Sequence, residues 1–406
     1  MERELAKILV LDGHSAATLA IVRSAGNAGH WVAVGANRGI FAAAKLSRYC
    51  SCAFDYPAST EHEDAFVDSV LAFMRAHSID LVIPVTDWTL RPISEHRDRF
   101  PGASRVALPS PSALLAVSDK YRTVKLAESL GIRVPRTVLL QSADDFEQLE
   151  SANFPAVVKD RFSVRWTEGR AVIGSVAYAY SADGLNKIAA ERLRLAGDVL
   201  IQEFVAGVGI GFSCFIAGGK VYSPFQWQRI REVDPRGSGS CARKSLPLNA
   251  STVSINSKLI AEIGFEGMVM VEYKRTKEGD LVLMEINGRP WGSIGLPIAC
   301  GLDYPRYLIE WSLNGTLPPE TIRYQENVLC RRAVGELTHL SALRGGPPAE
   351  WPVPYPSFWR SLVTMAIPWR PGMCYDDFWL SDPRPGVAGI SNWFRSRAKE
   401  RLRLWS

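Results

Sequence analysis

The sequence predicts a multidomain protein of mixed α/β and α+β class, with a parallel α/β unit at the N-terminus, a two-part central region and a C-terminal extension. Three observations carry that expectation. Strand and helix patterns alternate up to about Asp87, β-patterns dominate from Ala156 to Asn287, and the tail after Leu317 is rich in Pro and Trp. A chain of 406 residues also exceeds one ordinary core, so two or three domains are expected.

Taken in order, Lys7–Leu11 reads as a buried strand, Ala16–Ala28 as a helix and Trp31–Gly35 as the next strand. Glu63–Arg75 has helical apolar spacing, and Asp80–Pro84 is a buried strand running into Val85-Thr86-Asp87. This is the rhythm of a doubly wound parallel sheet, whose ligands sit beyond the carboxyl ends of the strands. Asp12, Thr86 and Asp87 therefore lie on the two loops expected to meet a substrate. The first loop is not a dinucleotide fingerprint, because Ser15 and Thr18 stand where glycines are needed. A nicotinamide-dependent oxidoreductase is disfavoured on that ground.

Asp119 is expected to cap a helix from Lys120 to Leu130, stopped by Gly131. Strands follow at Ala156–Lys159, Ala171–Tyr180, Val199–Phe204, Gly211–Ile216 and Lys220–Ser223, then a helix at Ser254–Ile263. Gly267–Arg275 and Leu281–Asn287 form a hairpin. The expected boundaries are 1–118, 119–316 (divided near 205) and 317–406.

Composition excludes several classes. A hydrophobic fraction of 47% with 22% charged residues is that of a globular chain. The net charge of +5 is too mild for a nucleic-acid stripe. There is no secretory leader pattern at Met1–Gly13 and no apolar run of membrane-spanning length. Seven scattered cysteines without CxxC suit reduced thiols, so a cytoplasmic location is expected.

The hairpin is the most informative segment. With Glu278-Gly279 as a two-residue loop, Glu272 falls opposite Glu285, and Asn287 shares the face of Glu285. Opposed like charges among apolar neighbours are destabilising. A hard divalent cation resolves the conflict, with phosphate oxygens completing its shell. Solvated glutamates on an edge hairpin, or a loop of another length, are the alternatives. Lys159 closes a buried strand and needs an anionic partner or a route to solvent. Arg289 offers a fork-shaped donor beside the carboxylates, for a phosphate or for a structural salt bridge.

In order and spacing, Pro84–Asp87, Asp119-Lys120, Gly131–Thr137, Val158-Lys159, Gln202–Gly207, Val271-Glu272-Tyr273 and Met284–Ser293 resemble the ATP-grasp superfamily, in particular its carboxylate–amine ligase-like branch. The resemblance implies a parallel pre-ATP-grasp domain, a two-lobed ATP-grasp fold and an ATP-dependent ligase that forms an amide through an acyl phosphate. It implies ATP and Mg2+ as cofactors, with Mn2+ able to substitute. Lys120 and Lys159 match the phosphate-holding lysines. Gln202, Glu203, Phe204 and Val205 match the adenine-binding segment. Glu272, Glu285 and Asn287 match the metal ligands, and Arg289 the arginine at the transferred phosphoryl group. Arg229, Arg231 and Ser240, on a stretch resembling this branch's own signature, are expected to meet the substrate.

Two departures stand out. No acidic residue follows Gly207 to hold a ribose, and the loop Asp160–Trp166 is not glycine-rich, so Arg161, Ser163 and Arg165 are either phosphate contacts or surface charges. The expected partners are a small-molecule carboxylate and amine, with no nucleic acid; the oligomeric state is open, a homodimer included. An ATP-grasp phosphotransferase and a non-catalytic nucleotide-binding regulator are the competing readings. The basic, Trp-bearing segment Ser391–Ser406 suits either a membrane-surface helix or a terminal helix packed on the body, and packing is the expectation.

Overall fold

The structure is a computed structural model that describes residues 5–102, 106–167 and 170–403. The N-terminal unit comprises β1 (Lys7–Val10), α1 (Ala16–Asn27), β2 (Trp31–Asn37), β3 (Cys52–Tyr56), α2 (Glu63–His77), β4 (Leu81–Ile83) and α3 (Asp87–Glu95). Its strands pair in parallel in the order β3-β2-β1-β4. Both faces of β1 are covered, so Ile8, Leu9 and Val10 are fully buried, as a continuous apolar run requires. The edge strand β3 had no counterpart in the sequence reading. Its alternate residues are exposed, which hides it from a search for apolar runs.

Helices α4 (Pro111–Ser118) and α5 (Lys120–Ser129) lead into the central lobe. Asp119 caps α5 as expected, accepting from the backbone of Tyr121 and Arg122. The lobe contains β5 (Thr137–Leu140), β6 (Ala156–Asp160), β7 (Val164–Thr167), β8 (Arg170–Ile173), β9 (Val176–Ala179), α6 (Ala182–Ala196) and β10 (Val199–Glu203). Its antiparallel sheet runs β5-β10-β6-β9, and β7-β8 form a separate ribbon. The single strand expected over Ala171–Tyr180 is thus two strands in different sheets.

The remaining lobe carries β11 (Val208–Ala217), β12 (Lys220–Glu232), β13 (Ser240–Leu246), α7 (Ala250–Ile263), β14 (Gly267–Arg275), β15 (Leu281–Asn287), α8 (Gly295–Ala299) and α9 (Tyr304–Asn314). Beyond it come β16 (Leu329–Arg331), α10 (Ala333–Leu343), α11 (Phe358–Met365), β17 (Met373–Tyr375) and α12 (Arg384–Arg403). The sheet order is β15-β14-β11-β12-β13-β16-β17, so the extension completes the sheet of this lobe.

The extension is also tied to the N-terminal unit. Arg23 on α1 is fully buried and donates to Asp382 (2.9 Å) and to the carbonyl of Asp376 (2.7 Å). Asp382 accepts in addition from Ser47 and from the Arg48 backbone. A second buried pair, Arg243 with Asp376, joins β13 to the segment after β17. Helix α12 packs against α10 and the turn Ala43–Leu46, and Trp393 donates to Thr338 at 3.0 Å. The described part of the basic terminal helix is therefore packed on the body. Leu404–Ser406 lie outside the described residues.

The hairpin corrects one expectation and keeps its consequence. Tyr273 pairs with Leu283, Lys274 with Val282 and Arg275 with Leu281. That register needs a three-residue loop, Lys277-Glu278-Gly279, with Gly279 at φ +96°. The register then shifts by one residue at Met284, so that Glu272 still pairs with Glu285 and Met270 with Asn287. A longer loop and a β-bulge offset each other.

Candidate functional site

Two carboxylates meet at the end of this hairpin. Glu272 on β14 and Glu285 on β15 are cross-strand neighbours, and Asn287 donates its amide N–H to Glu285 at 3.2 Å. The Asn287 carbonyl oxygen is thereby left to accept from elsewhere or to bind a cation. Cations from three other elements converge on the pair. Lys159 stands at the penultimate position of β6, and Lys120 opens α5. Lys120 donates to Ser163 at 3.1 Å and to the Asp160 carbonyl at 3.4 Å. Arg229, on β12, ion-pairs with Glu272 and is held from behind by Glu232 (3.0 Å) and the Ser238 carbonyl (2.7 Å).

The electrostatics split the carboxylate pair. Burial would raise the Glu285 carboxyl, but Lys159 and Lys120 overcome it and hold the group below its ordinary value. Glu272 is raised instead, because burial and the charge of Glu285 outweigh Arg229. Burial lowers Lys159 despite Glu285, with Lys120 adding to the drop. Lys120 is lowered in the same way. Arg289 sits beside them, donating to Asp87 at 2.9 Å. Burial opposes its charge, yet Asp87 and Glu285 more than restore it.

The loops that sequence pattern marked for substrate behave differently from one another. Asp87 is at the first turn of α3 and joins the cluster through Arg289. Thr86 caps that helix with its hydroxyl oxygen buried and unpartnered. Asp12 does not fit the substrate role. Its side chain is buried and accepts from Tyr56, Thr89 (2.6 Å) and the backbone of Val85 and Thr86 (2.7 Å), so it ties the β1 loop to the β4 loop. A left-handed φ of +58° turns the chain there. Arg231 is the second correction. The register slips next to it, and its guanidinium pairs with Glu336 and donates to Thr364 at 2.8 Å, joining β12 to the extension. Ser240 pairs with Glu232 at the base of the 233–239 loop.

The loop Asp160–Trp166 is tied by ion pairs to neighbouring elements. Arg161 binds both oxygens of Asp119 (2.9 and 2.6 Å) and also Asp198, while Arg165 pairs with Asp198. Ser163 receives Lys120. Among the described contacts neither arginine is held out as a phosphate donor.

The expected adenine segment leaves β10. Gln202 donates to Thr137 at 2.9 Å, the Glu203 N–H donates to the Arg136 carbonyl, and Val205 follows Phe204 into the second lobe. Phe204 packs edge-on against Tyr178 and Trp351. Trp351 belongs to the extension, and its indole N–H is buried without a partner. No motif pointed to it, since it lies in a Pro-rich segment remote in sequence.

Gly209 makes room for the Arg229 stem. A Cβ there would lie 2.5 Å from Arg229 Cδ. Gly209→Ala is therefore expected to displace Arg229 from Glu272 and lower kcat/KM by about tenfold to a hundredfold. Steady-state ADP release, with circular dichroism as a check on folding, measures this.

Paired carboxylates on one sheet, met by a lysine from the other sheet and one from α5, are the arrangement expected of an ATP-grasp protein. The comparisons agree. Residues 196–333 match the family model described as ATP-grasp in the biosynthetic pathway with Ter operon. A probable alpha-L-glutamate ligase of Stenotrophomonas maltophilia is 33% identical over 211 residues, covering 50% of this chain and 68% of the relative. The solved L-amino acid ligase from Bacillus licheniformis superimposes with a TM-score of 0.58 at 15% identity, covering 77% of this chain and 75% of that one. The biotin carboxylase of Campylobacter jejuni gives 0.62 at 15% identity, covering 80% and 74%. The chain belongs to the ATP-grasp family, among its carboxylate–amine ligases. No described helix is long and apolar enough to cross a membrane.

Proposed function

We propose that the protein joins a small-molecule carboxylate to an amine at the expense of ATP, through an acyl phosphate. The observation that carries this is the convergence of Lys120, Lys159, Arg229 and Arg289 on the Glu272–Glu285 pair. Lys120 and Lys159 hold the phosphates of ATP, and their positive charge lets an anionic nucleophile approach. The segment Gln202–Val205 receives the adenine.

The donor set fits a divalent ion. Two opposed carboxylates and a free amide oxygen are hard oxygen ligands, and Glu272 keeps one oxygen beyond the one on Arg229. Among the described residues no cluster of three or more acidic, His or Cys side chains could hold a metal alone, so phosphate oxygens and water would complete the shell. When bound there, Mg2+ supplies neutralisation of phosphate charge. Mn2+, which takes similar ligands, is expected to substitute.

In the first step a carboxylate oxygen of the substrate attacks the γ-phosphorus and the bond to ADP breaks. Arg289, steadied by Asp87, lies where it can hold the new acyl phosphate. In the second step the amine attacks the acyl carbon, the tetrahedral intermediate collapses, and phosphate leaves with one former carboxylate oxygen. Arg289 is placed to stabilise the oxyanion. Arg289→Lys keeps the charge and loses the fork. We expect kcat to fall about a hundredfold with the KM for ATP little changed, measured by coupled ADP release with hydroxylamine as the amine. An unchanged kcat would remove Arg289 from the reaction.

A cytoplasmic setting is part of the same proposal. It is supported by seven free cysteines and by the need for ATP.

A further inference from the structure

A cavity of about 780 Å³ opens directly off the reaction centre, where Lys120, Glu285, Asn287 and Arg289 form part of its wall. That volume is in the range of a site for a drug-sized ligand. Two helices line it along their length. Helix α3 contributes Asp87, Leu90, Arg91, Ser94 and Glu95, and α4 contributes Pro111, Leu114, Leu115 and Ser118. The α3 set follows the three-and-four spacing of a single helix face, and on α4 Val117 widens a face of the same spacing. From Asp87 to Glu95 the face runs about 12 Å at the rise of an α-helix. Phe162, from the loop Asp160–Trp166, forms part of the remaining wall.

Lys120 and Arg289 mark the end of the chamber at the reaction centre, and the arginines farther along its wall are each paired with a carboxylate. Arg91 pairs with Glu95 at 2.6 Å, Arg165 with Asp198, and Arg289 with Asp87. With the reacting carboxylate at Lys120 and Arg289, a second one would have to compete with Glu95 for Arg91 or with Asp198 for Arg165. The leucines, the proline and Phe162 offer apolar contact instead.

We propose that the acyl substrate is a monocarboxylate with an extended apolar or aromatic body. The body lies between α3 and α4, and the carboxylate reaches Arg289 and Lys120. This rests on the ligation reading above and names the substrate class for that site. Leu90, Leu114, Leu115 and Phe162 then set specificity. Leu115 is half exposed, so its replacement tests the chamber without breaking the core.

The test uses the full chain with ATP, Mg2+ and hydroxylamine, which captures an acyl phosphate as a hydroxamate. Octanoate and phenylpropionate are compared with acetate and glutarate. Calorimetry with a non-hydrolysable ATP analogue reads acid binding separately. We expect kcat/KM for octanoate or phenylpropionate to exceed that for acetate and glutarate by about tenfold or more. Leu115→Glu should lower the octanoate value by about tenfold and leave the KM for ATP unchanged. Equal or better turnover of glutarate or acetate would overturn the inference and leave ligation standing. Octanoate binding without hydroxamate from any acid would support the chamber and sink the ligation reading. Neither binding nor turnover of the apolar acids would overturn the inference.

Discussion

Replacing Glu285 with glutamine is expected to lower ADP release by about a hundredfold to a thousandfold, with the fold retained. The substitution is nearly isosteric and removes only the charge. Glu285 is the carboxylate held ionised by Lys159 and Lys120, so it is the better anionic ligand of the pair. Its neutral amide would bind a divalent ion weakly and leave two lysines facing an uncharged group. The apparent requirement for Mg2+ should rise in parallel. A variant with normal turnover at ordinary Mg2+ would contradict the assigned role. Circular dichroism is the control for folding; the melting temperature should fall, because Lys159 and Lys120 lose the carboxylate that offsets their charge, even though the opposition with Glu272 is relieved.

Asp382→Asn is expected to cost about 3–5 kcal/mol of stability, because it strands a fully buried arginine. The Asp382 carboxylate meets Arg23, Ser47 and the Arg48 N–H at once, and no water reaches the buried Arg23 guanidinium to take its place. Burial alone would raise this carboxyl, but the Arg48 N–H, Arg23 and Ser47 bring it below its ordinary 3.8. The sign follows from linkage. A depressed native value contributes stability that is present above the unfolded value near 3.8 and is lost as pH falls through the lower folded one. The gap between wild type and variant should therefore be full at neutral pH and close only in that acid window. Urea unfolding across pH measures it. A gap below about 1 kcal/mol at pH 7 would show that the extension is not locked to the N-terminal unit by this pair.

Much of the central site was legible because it depends on short-range pattern. Lys159 ends a run of buried β-residues, and Glu272, Glu285 and Asn287 follow from strand alternation. Even there the pairing of Glu272 with Glu285 follows from the sequence only because a longer loop and a bulge cancel, and nothing in Leu283-Met284-Glu285 announces a bulge. What periodicity cannot report is which polar group a side chain selects in space. Asp12 and Arg231 have the residue types of substrate contacts, yet each is consumed by partners more than 70 residues away: Asp12 by Val85, Thr86 and Thr89, and Arg231 by Glu336 and Thr364. The extension was opaque for the same reason. Its strands β16 and β17 are three residues each, too short for periodicity, and are recognised only through the pairing of β16 with β13 and of β17 with β16. Trp351 reaches Phe204 from nearly 150 residues away.

The central claim is that a carboxylate oxygen becomes bonded to phosphorus. It is tested by supplying the most active acid with heavy oxygen in its carboxylate, together with ATP, Mg2+ and hydroxylamine, and weighing the released phosphate. Each phosphate formed per amide should carry one labelled oxygen, because acyl-phosphate formation and aminolysis pass it across. Phosphate free of label, alongside amide or ADP, would contradict it.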